Sequence, residues 1–476
     1  MSEQITQEQR GSSALKSGIW YTISSISVKA ILIITTPIFT RLMTTAEYGV
    51  SVTFAAWFTL LNVVCSLNLW YSIGRAKIDF PGKLDEFVGS IQLLAFYFTA
   101  AVGAISFLFL DKVCVLLEMD KPLVIALFVY LLAYPAVQMT QAKFKYLYNY
   151  KGNIAITIYT TLSTAAISLI LVLLMSEQRA LGKSLGAVIS AGLLAIAVWI
   201  YTLKNGFAKV KTEYWKYALK ISLPLILNSI SLNILAQSDR IFITKYCGDD
   251  YTGIYSLAYS YAILINIVLN AVNEAWLPWF HDSLNDKLTD QIRDNVKPLV
   301  VFGCWFGIGC IALAPEAIAI LGGAEYSKGV WAVPPITLGI VCSYIFQHYE
   351  HIELHLKKTW YISIGTISAA VINIVLNVIF IPRFGFVAAA YTTLVCYFLL
   401  MILHHFISRW VLKVHLYNDM FMYLAIIATL IFAVIFMALY NAHWIWRWLL
   451  IIAVSVVYLY TNREYILGAV KRFIKK

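Results

Sequence analysis

The chain has 476 residues, 61% of them hydrophobic and only 13% charged, with a mean hydropathy of +0.76, a composition that excludes an ordinary soluble globular domain. Its apolar runs repeatedly reach the roughly 20 residues that carry a helix across a bilayer, without the alternating pattern of a transmembrane barrel. The formal net charge of +11 needs no nucleic acid to explain it, because the basic residues flank apolar runs, where membrane lipids with anionic headgroups are the partners.

Reading apolar runs against charged and turn-forming breaks predicts fourteen spans, at residues 18–40, 48–70, 87–110, 122–142, 152–176, 184–203, 218–244, 252–278, 298–321, 329–347, 359–381, 384–407, 420–440 and 443–461. The connections are short, and even the longest, at 71–86, 204–217 and 279–297, cannot hold a soluble domain. Lysine and arginine placement orients the chain: with Lys220 and Arg447, near span ends, counted with the adjoining loops, the N-terminus, every second loop and the C-terminus carry 25 of the 36 basic residues, the other loops 9, and Lys29 and Arg240 lie deeper inside spans. Both termini are therefore expected on the cytoplasmic side. A polar tail leads into a first span too long for a signal-peptide core, so that span is read as a signal anchor. The seven cysteines show no CxxC spacing; Cys65, Cys304, Cys310, Cys342 and Cys396 fall in spans as small apolar residues, and Cys114 and Cys247, on the expected outer side, are expected to stay unpaired.

An internal repeat organises the spans. At an offset of 204, Ala14, Leu15 and Lys16 match Ala218, Leu219 and Lys220, and Ser25, Ile26 and Ser27 match Ser229, Ile230 and Ser231. Thr40 then matches Thr244, Gly49 matches Gly253 and Asn62 matches Asn266; with Leu60/Leu264 and Val64/Val268 there are 11 identities over residues 14–66. Six spans fit within one offset, so both copies start on the same side and the two lobes are related by an axis along the membrane normal. The expected fold is an all-α integral membrane protein with six-helix lobes at 1–210 and 211–415 and two additional helices at 416–476.

Polar residues inside the spans are the candidate site. Counting by helical spacing from Arg240 gives Gln237, Asn233, Ser229 and Ser222 in one direction and Thr244 in the other, so one face of the 218–244 helix is polar along its length. The first span carries Gly18, Ser25, Lys29, Ile33, Thr36 and Thr40 at the matching positions. Hydroxyls and amides alone are ordinary helix glue in a bilayer. An intramembrane lysine or arginine instead faces a cavity or a partner, because exposure to lipid costs about 2.5–3.5 kcal/mol. Asp239 is no simple partner for Arg240, since neighbouring helical residues point about 100° apart. Asn266, Asn270 and Asn273, followed by Glu274, add a polar face to the 252–278 helix, and Tyr134, Gln138, Gln141, Asn373 and Asn377 contribute elsewhere. The expected arrangement is a hydrated cavity with a positive lining, with Lys29 and Arg240 attracting an anionic substrate, Asn233, Gln237, Asn266 and Asn270 lining its path, and Asp239 and Glu274 as proton or cation coupling candidates.

Two motifs lead elsewhere. Gly182, Lys183 and Ser184 resemble the end of a phosphate loop, but Glu177 stands where its first glycine belongs, so no nucleotide site is read. His348, His351 and His355 share a helix face beside Glu350 and Glu353, a spacing that fits either a metal or a solvated cytoplasmic helix end; no metal or other cofactor is expected. A membrane glycosyltransferase, polymerase or ligase would need a long extracytoplasmic loop or an acidic catalytic cluster, and neither is present, so a transporter rather than an enzyme is expected.

The stretches RLMTTAEYGV at 41–50 and DRIFITKYCGDDYTGIYSLAYS at 239–260 resemble the hallmark segments of the polysaccharide transporter, or Wzx-type O-antigen flippase, family of the multidrug/oligosaccharidyl-lipid/polysaccharide exporter superfamily. The resemblance implies two lobes around a cavity that opens alternately to each side. It implies as cargo an undecaprenyl-diphosphate-linked oligosaccharide repeat unit, moved from the cytoplasmic to the periplasmic leaflet of a bacterial inner membrane, and as partners a polymerase and a chain-length regulator. Multidrug or cation antiport and the flipping of peptidoglycan precursors belong to the same superfamily and remain open at this point.

Overall fold

A computed structural model describes residue 31 and residues 34–463. Lys29, together with Gly18, Ser25 and Ile33 of the same stripe, lies outside the described residues. The described chain is all-α, without strands. Thirteen helices are long and apolar enough to cross a membrane. They are α1 (Thr45–Cys65), α2 (Leu84–Leu108), α3 (Lys121–Tyr146), α4 (Tyr150–Leu174), α5 (Arg179–Lys204), α6 (Thr212–Cys247), α7 (Asp249–Asn285), α8 (Thr289–Ala312), α9 (Val333–His355), α10 (Trp360–Phe384), α11 (Val387–Phe406), α12 (Asp419–Leu439) and α13 (Trp444–Thr461). Residues 34–42 form a further helical stretch before α1. The protein is an all-α, multi-pass membrane protein. Its lipid-type surface is visible in side chains such as Leu108 and Leu174, 79% and 74% exposed, in helices whose backbone bonds are satisfied internally.

One span is corrected. The apolar run 298–321 breaks at Leu313, which closes α8 and precedes a short helix, Ala314–Gly322. Pro315 is the cause: in a first helical turn its missing N–H costs nothing, whereas within one continuous helix it would remove a backbone bond. Polar ends of other helices run past the predicted limits. The 36 residues of α6 span about 54 Å, well over the hydrocarbon thickness, because Thr212 to Tyr217 continue the helix with charged and aromatic residues.

By contacts the chain divides into two compact units, Met1–Gly253 and Ile254–Lys476. The first holds α1 to α6 and the opening turn of α7. One of its cores gathers Phe54, Leu123, Leu127 and Val188, another Phe87, Ile91, Met139 and Tyr214. Its α4–α5 pair packs closely where Gly186 meets Ser168, since a Cβ there would lie 2.0 Å from Ser168 Oγ. The second unit has a core of Ile308, Ile311, Leu338, Ala433 and Phe436, which ties α12 into it. All seven cysteines are free, Cys114 and Cys247 included.

Candidate functional site

The two segments that carry the family resemblance touch each other in the first unit. Thr44 caps α1, its side chain and that of Glu47 forming a capping box, which fixes the start of the helix. From there Thr45 Oγ1 donates to Asp250 Oδ1 at 2.5 Å, and Thr53 Oγ1 and Thr244 Oγ1 pair at 2.7 Å. Between these contacts lie Gly49 and Gly253. A Cβ on Gly49 would sit 1.9 Å from the Asp249 carbonyl oxygen, and one on Gly253 would sit 2.1 Å from the Thr45 carbonyl oxygen. Thr45 and Asp249, like Gly49 and Gly253, are exactly one repeat offset apart, so the contact is symmetric in sequence as well as in space. Only glycine lets the backbones of α1 and α7 approach this far.

The polar face of α6 folds inward within this unit. Ser222, Ser229, Arg240 and Thr244 are buried, and Asn233 and Gln237 are half-buried. Ser229 Oγ accepts from Asn68 Nδ2 at 2.7 Å, while Thr244 also pairs with Thr252 at 2.8 Å. Arg240 is 7% exposed and Asp239 2%. The Arg240 guanidinium donates through Nη1 to the Ala236 carbonyl at 2.9 Å and to Gln237 Oε1 at 3.1 Å. Of the sequence-predicted binding residues, the structure therefore brings Arg240 and Gln237 into contact; Asn233 bonds its own helix, its Nδ2 donating to the Ser229 carbonyl at 2.8 Å. The amides of α3 bind neighbouring helices: Asn62 Nδ2 reaches Gln138 Oε1 at 3.4 Å, and Gln141 Nε2 reaches Thr157 Oγ1 at 3.3 Å.

In the second unit, Asn266 and Asn270 are half-buried on α7 and Glu274 is exposed. Asn273 carries the polar network there: its Nδ2 donates to Gln347 Oε1 at 2.6 Å, and its Oδ1 accepts from His351 Nε2 at 2.8 Å. Asn373 Nδ2 donates to Thr393 Oγ1 at 3.2 Å, Asn377 Nδ2 to Asn373 Oδ1 at 3.1 Å, and the Thr392 hydroxyl to Asn377 Oδ1, so α10 and α11 are joined by a fully buried amide–hydroxyl ladder.

The histidine face of α9 is neither a solvated helix end nor a metal cluster among the described residues. His348 and Glu353 are 0% exposed and His351 6%. Trp276 of α7 and Tyr417 cover His348, and His404 of α11 donates through Nδ1 to Glu353 Oε1 at 2.7 Å. His355 pairs instead with His281 at 3.0 Å. The periodicity placed these residues on one face; packing by α7 and α11 then buried that face.

Sequence reasoning also passed over a cavity of about 630 Å³ inside the first unit, bounded by the stretch before α1 and by α1, α3, α4 and α5. Lys183 enters it from α5. Its Nζ donates to Ser51 Oγ at 2.9 Å and lies 3.8 Å from the centre of the Tyr48 ring. Elsewhere on the wall Phe58 stacks on Tyr130 at 3.7 Å and meets Tyr134 edge-on at 5.2 Å. The signal in the sequence is the lysine of the incomplete phosphate-loop match: Lys183 lies within an apolar helix, one turn from its end.

Comparisons with known proteins bear on the family and the fold. A family model described as "Polysaccharide biosynthesis protein" matches residues 14–284. A Haemophilus influenzae protein of the Lsg locus is 22% identical over 275 residues, 56% of this chain and 66% of that protein's length. Among solved structures, the fold is similar to that of the lipid II flippase MurJ in an inward closed conformation, with a TM-score of 0.68 at 14% identity over 94% of this chain and 100% of that one. An inward-facing multidrug resistance MATE family transporter of the MOP superfamily gives a TM-score of 0.59 at 10% identity, covering 82% and 98% of the two chains. The chain belongs to the polysaccharide biosynthesis protein family and has the fold of the MOP-superfamily transporters.

Proposed function

We propose that the protein is a flippase that moves polyprenyl-diphosphate-linked oligosaccharide repeat units from the cytoplasmic to the periplasmic leaflet of a bacterial inner membrane by alternating access. The observation that carries this reading is the family match over residues 14–284 on a chain whose fold is that of a lipid II flippase. A polysaccharide-building family needs its lipid-linked intermediates moved across a membrane, and a diphosphate or acidic sugar needs cationic contacts, which are strong when charge-assisted. Arg240, buried beside Gln237, supplies one such group, and Lys29 a second. Asn233, Gln237, Asn266 and Asn270 line the glycan path, and Asp239 and Glu274 are the groups through which proton or sodium coupling acts. Two six-helix lobes and two added helices, with both termini cytoplasmic, complete the proposal. A polymerase and a chain-length regulator would take up the product.

The MATE likeness supports a second reading, multidrug or cation antiport. Reconstitution separates the two. Vesicles containing the protein and a fluorescent polyprenyl-diphosphate disaccharide are expected to expose the lipid to an added glycosidase faster than empty vesicles; no acceleration, with cation-driven dye efflux in its place, favours antiport.

A further inference from the structure

We propose that the Lys183 cavity is a subsite for an oxyanion of the transported glycolipid, either a sugar carboxylate or the diphosphate, with the adjoining sugar against the Tyr130 and Tyr134 rings; this rests on the flippase reading above. A lysine carried by a membrane-type helix needs a counter-charge or water, because removing an ammonium from water without compensation is expensive. Lys183 forms no ion pair with a carboxylate among the described residues. Among the described residues its ammonium meets one hydroxyl and two ring faces, the Phe39 ring lying 5.3 Å away. Ser51 Oγ donates to the Tyr48 carbonyl at 2.7 Å, so toward Lys183 it can only accept. An ammonium has three donors, and Ser51 occupies one. The ammonium meets Ser51, which is 6% exposed, while Lys183 itself is half-buried.

The other walls suit a sugar. Tyr130 and Tyr134 meet edge to face at 5.6 Å, presenting apolar ring surface, and among the described residues neither phenol is hydrogen-bonded to a neighbour. The hydroxyls of Thr160 and Thr161 donate to the carbonyls of Ile156 and Thr157, both at 2.8 Å, leaving their oxygens as acceptors for sugar hydroxyls. The volume, about 630 Å³, falls within the usual range for small-molecule sites. Rings, acceptors and a cation without a carboxylate partner form a set that recognises an acidic glycan or a sugar next to a phosphate, and no neutral apolar compound would use the cation.

The test is binding to the full chain in nanodiscs, read by isothermal titration calorimetry with three probes: inorganic pyrophosphate, cellobiouronic acid and neutral cellobiose. At least one anionic probe is expected to bind wild type and to weaken about tenfold in Lys183→Gln, while Lys183→Arg keeps most of the affinity and cellobiose does not respond to the charge. Loss confined to pyrophosphate assigns the diphosphate, and loss confined to cellobiouronic acid assigns the sugar carboxylate. Equal binding of both anions to Lys183→Gln and wild type, or no binding to wild type, overturns the subsite. If Lys183→Gln does not fold, Thr164→Phe, which places a large side chain in the cavity wall, must weaken the same probe, and unchanged affinity overturns the proposal. Normal surface polymer from a Lys183→Gln strain, where a deletion strain has lost it, rejects the subsite and leaves the flippase reading intact; a deletion without effect rejects both.

Discussion

Arg240 illustrates how a single side chain links fold to function. Its guanidinium is buried and donates to the Ala236 carbonyl and to Gln237. On the proposed reading, Arg240→Ala removes a charge-assisted contact with cargo of about 1.5–3 kcal/mol, and the melting temperature of the variant separates that loss from any effect on the fold. Surface polymer, measured at matched protein levels, should then fall about ten- to hundredfold; wild-type yield would show that Arg240 does not meet the cargo. Glu353 behaves oppositely. It is sealed in the second unit against His404, and Glu353→Ala would strand a buried imidazole, a loss of about 3–5 kcal/mol typical of a broken buried pair. A clear drop in the melting temperature of the purified protein is expected, and an unchanged melting curve would mean that the pair is not formed.

At the level of elements, the contact of α1 with the opening turn of α7, inside the first unit, depends on two glycines. Gly49→Val would drive its side chain into the Asp249 carbonyl, 1.9 Å from the ideal Cβ, and because both walls are backbone the strain cannot be relieved by a rotamer change. Overpacking of this kind costs about 1–3 kcal/mol or more. Gly192→Ala, with nothing within 4 Å of the added Cβ, is the matched control. Differential scanning fluorimetry should show a lower melting temperature for the first and no loss for the second; equal behaviour would contradict the close crossing. A second link joins the short helix Ile73–Asp79 to α6, where Tyr217 donates to Asp79 Oδ2 at 2.7 Å. That bond, with Arg75 beside it, holds the Asp79 carboxyl below the usual carboxylate range. A depressed pKa stabilises the fold above the unfolded value near about 4 and is lost as pH falls through the folded one. Tyr217→Phe should therefore lower the melting temperature slightly at pH 6, with a difference that shrinks toward pH 3; a pH-independent difference would assign the effect to packing alone.

For the molecule as a whole, hydropathy made the spans legible because it reports the solvent a segment folds in. The run read as 359–381 is the helix Trp360–Phe384, and 420–440 is Asp419–Leu439. It failed at 298–321, where a proline restarted the helix inside an apolar run. Which face a polar residue presents was less legible. Helical spacing grouped Ser222, Ser229, Arg240 and Thr244 correctly on one buried face, because period and burial coincide on a helix packed along one side. The same spacing could not tell that His348 and His351 would be covered while Glu274 stays exposed, since that depends on helices distant in sequence. Lys183 was hidden for the same reason: its partners Tyr48 and Ser51 lie more than a hundred residues away.

The central claim is that lipid-linked oligosaccharide is the cargo. The most direct measurement is deletion of the gene in its own host, followed by mass analysis of polyprenyl-diphosphate-linked glycans and of surface polysaccharide. The account predicts accumulation of a complete lipid-linked repeat unit with loss of the surface polymer, both reversed by the wild-type gene. Intact surface glycans, with altered drug or cation sensitivity as the only change, would contradict it.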